Sequence, residues 1–246
     1  MIGALQSLVS IAVCALLAVT AYAGTPYLAA AVVLVVLGIA VGWWGLLSLP
    51  HPKGTALVVA LCGVVAVGAA VWAAEESDQP LAPFAGLLAF AVLAAFVHEL
   101  LRRDGRKDLV ESLTGSFAGQ TVAVLAASWV LLPSTDLGVG GIVVAAAGAA
   151  GSRLAALLPI PGRLLAWVGV AIGAVAAAAV SPFFPEVKVT TALLIGAGVS
   201  AVVLTFERLL SARVPGQAPT SMIAAALAPV AVAGTAAYAA ARLVGA

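Results

Sequence analysis

Long apolar runs, each about the length of a bilayer crossing, follow one another through nearly the whole chain, and they constrain the fold more than any motif does. Breaks between them fall at Gly24-Thr25-Pro26, at "SLPHPKG" (48–54), "EESDQP" (75–80), "RRDGRKD" (102–108), "PSTD" (133–136), "LPIPGR" (158–163), "SPFFPEVK" (181–188) and "SARVPGQAP" (211–219). Eight breaks separate nine runs, with limits near 2–23, 27–49, 55–74, 80–101, 109–132, 138–158, 161–180, 187–210 and 219–243. A helix crosses a ~30 Å hydrocarbon core with roughly 20 residues, so every run is long enough. The runs are continuous rather than alternating, which disfavours membrane strands.

Composition agrees. Only 9% of residues are charged, against about 25% in soluble domains, and mean hydropathy is +1.20. The expected fold is therefore all-α: a polytopic transmembrane helical bundle of nine spans, with residues 1–246 forming a single integral membrane domain. No polar stretch is long enough for a soluble domain. A net charge of +1 offers no broad basic face, so nucleic acid is not an expected partner. Near the first break, "AVTAYAGTP" (18–26) contains a small-residue pattern like a signal cleavage site. The segment before it lacks a positive n-region, so a retained first span is expected. Cys14 and Cys62 each sit inside an apolar run and read as small buried hydrophobes rather than disulfide or metal partners.

Charge is gathered in one place. The stretch "VHELLRRDGRKDLVES" (97–112) holds eight of the twenty-one formal charges. Lys and Arg in short loops mark the cytoplasmic side, so this loop between spans four and five is expected inside, and alternation then fixes every other loop. Lys53, Arg102, Arg103, Arg106, Lys107, Arg153, Arg163, Arg208 and Arg213 fall inside on this scheme, and only Lys188 and Arg242 outside. The split predicts a cytoplasmic N-terminus, an external C-terminus and a place in the cytoplasmic membrane.

Ionisable residues inside a bilayer are the default functional candidates. Arg153 near the end of span six and the pair Glu207-Arg208 near the end of span eight are the deepest, and each is expected to snorkel to the interface. His98-Glu99 begins like a zinc-protease helix, but Arg102 stands where that motif needs its second histidine, so no metal site is expected. The cytoplasmic cluster His98, Arg102, Arg106 and Lys107, with Arg153 and Arg208 on the same side, is a candidate grip for an anionic lipid headgroup. In span five Glu111, Ser112, Ser116 and Gln120 recur every three to four residues and share one face, suited to a neighbouring helix or a wet cavity. Gly115-x-x-x-Gly119 and Gly169-x-x-x-Gly173 have the spacing that lets helices approach closely.

Three stretches carry a resemblance. "LLRRDGRKDLVESLTGSFAGQTVAVLAASWVLL" (100–132), "VVAAAGAAGSRLAALLPIPGR" (143–163) and "VLTFERLLSARVPGQAPTSMIAAALAPVAVAGTAAYAAARL" (203–243) together resemble the bacterial phosphatidate cytidylyltransferases. The shared pattern is a basic loop leading into a small-residue helix, a helix entering a cytoplasmic loop, and a Glu-bearing helix end, Pro-Gly loop and apolar last helix in that order. The resemblance implies a many-spanning bundle acting on lipid at the cytoplasmic face, where metal-bound carboxylates would activate CTP. The carboxylates are missing. Ala147, Gly148 and Ala149 stand where the family has an aspartate, no acidic residue lies between Asp136 and Glu186, and none follows Glu207. The family's C-terminal Gly-His-Gly-Gly-x-x-Asp-Arg signature is reduced to Arg213, Pro215 and Gly216, with Gln217 where the histidine would stand.

The expected function is thus that of a non-catalytic cytidylyltransferase-like relative that binds a membrane lipid or a partner membrane protein, or associates with itself. Metal-dependent nucleotidyl transfer is not expected, and no cofactor is implied. The alternative is a transporter or permease for a small solute, with the polar face of span five lining its route. An enzyme with an unrecognised membrane active site is a third reading.

Overall fold

The structure, a computed structural model, describes residues 2–76, 79–102, 108–158, 162–212 and 218–244. Ten α-helices follow in order: α1 (Ile2–Ala23), α2 (Thr25–Leu46), α3 (Pro52–Glu76), α4 (Ala82–Leu101), α5 (Leu109–Ala126), α6 (Ser128–Leu131), α7 (Gly138–Ala155), α8 (Gly162–Val180), α9 (Val189–Ser211) and α10 (Pro219–Val244). The short α6 and a 3₁₀ turn at Leu132–Ser134 continue α5, so that Leu109–Ser134 forms one span. Among the described residues there is no strand, and nine helices are long and apolar enough to cross a membrane.

Proline and glycine set the helix starts. Pro26, Pro52, Pro83 and Pro219 stand in the first turns of α2, α3, α4 and α10, where a missing N–H costs nothing. Gly24, at φ 113°, reverses the chain between α1 and α2 in a single residue, a conformation that a side chain would strain. Successive helices run antiparallel. The end of α2 meets the start of α10 at Gly42 and Thr220 and the start of α5 at Trp43 and Gly115, while at the opposite end Tyr22 lies against Phe184 and Gly140 against Glu186 and Phe184. The ends of α2, α4, α7 and α9 and the starts of α3, α5, α8 and α10 therefore lie at one side of the bundle, the basic end, since nine of the eleven Lys and Arg fall in sequence on these helix ends or between them.

Between helices in a bilayer there is no transfer gain to exploit, because lipid tails are as apolar as leucine; association rests on close packing and hydrogen bonds. This chain uses both. α10 lies centrally, packed on α1, α2, α5, α7 and α9. Pro229 interrupts its backbone ladder, and side chains of other helices serve the neighbouring carbonyls: Ser10 Oγ donates to Ala226 O (2.9 Å) and Trp129 Nε1 to Val230 O (2.9 Å). In the α7–α8–α9 group glycines bring backbones together. A Cβ at Gly148 would stand 2.8 Å from the Cα of Gly196, and one at Gly173 would meet Ser200 and the carbonyl of Gly148. All four glycines of the two spaced pairs lie at close contacts, Gly115 against Leu49 of the turn after α2, Gly119 against Trp43 and Val59, and Gly169 against Leu204. Val19, Leu34, Trp167 and Leu194 stay exposed around the bundle, on the surface that hydrocarbon would cover.

Gly148→Val is expected to destabilise the bundle by about 3 kcal/mol, at the upper end for overpacking because the obstacle is backbone. Gly198→Val on α9, where a Cβ meets nothing within 4 Å, should be nearly neutral. Thermal unfolding of both variants in the same detergent checks the contrast.

Candidate functional site

At the basic end the last turn of α4 and the first turns of α3 and α5 converge. α4 stops at Leu101, and Arg102 turns out of the helix with extended backbone, its amide still bonded to Glu99 O (3.4 Å). That turn brings the Arg102 guanidinium back onto the helix end: Nη1 donates to Glu99 Oε2 at 2.6 Å. Ser112 of α5 donates from Oγ to the other carboxylate oxygen, Oε1, at 2.5 Å. His98 Nε2 lies 3.8 Å from the same Oε1, and the His98 ring stands against that of His51, with centroids 5.2 Å apart. Glu99 is 3% exposed, Arg102 5% and His98 7%. His51 and Lys53 are exposed at the rim.

The arrangement is electrostatically coherent. A buried carboxylate is costly unless paired and hydrogen-bonded, and here both oxygens of Glu99 are engaged. The Arg102 guanidinium, at the C-cap of α4, also stands at the negative end of the helix dipole. The two imidazoles can close on each other because residue 54 is glycine: a Cβ there would collide with both rings. The result is a pair of imidazoles, His51 exposed and His98 buried, backed by a closed Glu99–Arg102 pair, with exposed Lys53 two residues from His51.

Below it a polar seam descends between α3 and α5. Thr55 Oγ1 and Ser116 Oγ are 3.4 Å apart, and Cys62 Sγ donates to Gln120 Oε1 at 3.0 Å. Ser112, Ser116 and Gln120 are fully buried, as their shared face requires, whereas Glu111 is exposed off that face. Most donors and acceptors of the seam are spent on one another. Among the described residues of the seam, the Gln120 amide nitrogen is buried without a hydrogen-bond partner.

The remaining candidates separate. Arg106 and Lys107 lie outside the described residues. Arg208 is exposed on α9. Arg153 does not snorkel: it is 1% exposed, and its guanidinium forms an ion pair with the carboxylate of Glu207 on α9. The reason is the helix face: Arg153 falls with Ala145, Ala146 and Ala149 on the buried side of α7, which packs on α1, α8 and α9, so its side chain enters the packed helices rather than leaving them. Both cysteines are free and buried.

Sequence reasoning placed His98 and Arg102 in one site but missed Glu99 as the group that ties them together, and it missed Thr55 and Cys62 as the partners of span five. The three-residue spacing of Glu99 and Arg102 was a usable signal for the first. For the others, hydroxyl and thiol groups in apolar runs, no signal in the sequence distinguishes a buried partner from a lipid-facing one. The chain matches no protein-family profile, no curated protein and no solved structure.

Proposed function

We propose that this multi-spanning membrane protein binds an anionic phospholipid at its basic end, as a relative of the cytidylyltransferases that has lost their nucleotidyl-transfer carboxylates. One observation carries the reading: the His51 and His98 rings stand together at the start of α3, two residues from exposed Lys53 and beside membrane-facing surface, while the buried carboxylate next to them, Glu99, is already paired with Arg102. An arriving phosphate meets donors and positive charge, and the closed pair behind them spares it the repulsion of an open carboxylate. The basic loop at 102–108 adds long-range attraction for the same charge.

Native mass spectrometry of protein extracted in mild detergent tests this. The wild type is expected to retain phosphatidylglycerol or another anionic lipid in preference to phosphatidylcholine. The His98→Ala/Lys53→Ala variant should lose most of that preference, a change of about tenfold if the two contacts together contribute roughly 1.4 kcal/mol. An unchanged lipid ratio in the double variant would remove the assignment.

A further inference from the structure

We infer that the furrow between α3 and α4 seats one acyl chain of the bound lipid, drawn from the leaflet at the basic end; this rests on the headgroup reading above and names what lies beneath the headgroup. The furrow encloses about 380 Å³ and is apolar throughout, except where His98 closes it at the basic end. On α4 its wall is the stripe Phe90, Leu93, Val97 and Leu101, spaced three to four residues apart and all exposed. Gly54 and Leu57 of α3 form the facing wall next to the histidines.

Length and width select the occupant. From Phe90 to Leu101 the stripe rises about 16 Å at 1.5 Å per residue, close to half of a ~30 Å hydrocarbon core. A furrow that begins at the paired histidines and ends near the bilayer midplane has the reach of a single leaflet. A partner transmembrane helix, about 10 Å wide, would need a trough running the full thickness. A lipid chain whose headgroup is held at His51 and His98 needs only this one. The chain gains no transfer energy on leaving its neighbours, so the headgroup supplies the selectivity and the furrow fixes where the chain lies.

Photocrosslinking separates the two claims. The probe is phosphatidylglycerol carrying a diazirine midway along one acyl chain, at low density in phosphatidylcholine vesicles containing the full-length protein. Crosslinks are expected to concentrate on Leu57 and Val58 of α3 and on Leu93, Ala94 and Val97 of α4. Ala94→Phe, which fills the furrow, should lower their yield several-fold while native mass spectrometry still shows preferential retention of the anionic lipid. Crosslinks spread evenly over outward-facing helices, including α8 at Trp167, and unaltered in Ala94→Phe, would overturn the furrow assignment. Equal furrow yields from phosphatidylglycerol and phosphatidylcholine probes would instead overturn the headgroup reading and leave the furrow assignment standing.

Discussion

Arg102→Ala is expected to be among the most damaging single substitutions in the chain, costing about 3–5 kcal/mol. That is the usual cost of removing one partner from a buried ion pair. Glu99, 3% exposed, would keep its charge in a site that has lost its guanidinium partner, with Ser112 still donating to it. The damage should be largely reversed by removing the charge as well. In Glu99→Gln/Arg102→Gln the two neutral side chains can still hydrogen-bond each other, so the double variant should be markedly more stable than Arg102→Ala. A double-mutant cycle built on Glu99→Gln, Arg102→Gln and the pair, read from equilibrium unfolding in mixed micelles, gives the coupling energy directly. A coupling near zero would mean that the pair is solvated and that the closed backing of the headgroup rim does not exist.

The second large effect is an asymmetry at Arg153 and Glu207. Removing the acid should hurt far more than removing the base, because the two partners are buried to different degrees: the Arg153 side chain is 2% exposed and that of Glu207 27%. Glu207→Ala strands a guanidinium among α1, α7 and α9, expected to cost about 3–5 kcal/mol. Arg153→Leu leaves a carboxylate with some access to water, and the loss should stay near 1–2 kcal/mol. Arg153→Leu/Glu207→Leu replaces both charges with apolar volume and is expected to be close to wild type or more stable, since burying an ion pair seldom stabilises more than well-packed hydrophobic residues do. Thermal unfolding of the three variants ranks them; equal losses for the two single variants would show that Arg153 reaches water after all.

The two ion pairs show how unevenly the sequence discloses such sites. Glu99 and Arg102 are three residues apart, and their meeting needs only the last turn of one helix. Ser112 joins them because α4 and α5 form a hairpin, a step that the basic loop between them already announces. Arg153 and Glu207 are 54 positions apart, and their meeting depends on how α7 and α9 pack. The expectation that Arg153 would reach the interface came from its position at a helix end, and it failed because Arg153 lies on the face of α7 that packs against other helices. The span-five face was legible at Ser112, Ser116 and Gln120 because spacing alone defines a face. Glu111, one position from Ser112, falls off it.

By itself the sequence determined the number of spans, their limits to within a few residues and their antiparallel order, because a bilayer imposes a length on every crossing and keeps most charge at or near the helix ends. It also gathered the basic residues at one end. Only the tertiary structure decided which sides of those helices face one another. Hydropathy is blind to that choice, since a residue packed against lipid and a residue packed against another helix are equally apolar. The decision falls to small residues that admit a neighbour's backbone, as at Gly148 and Gly196, and to polar groups that must find partners once water is gone, as at Glu99, Ser112, Arg153 and Glu207.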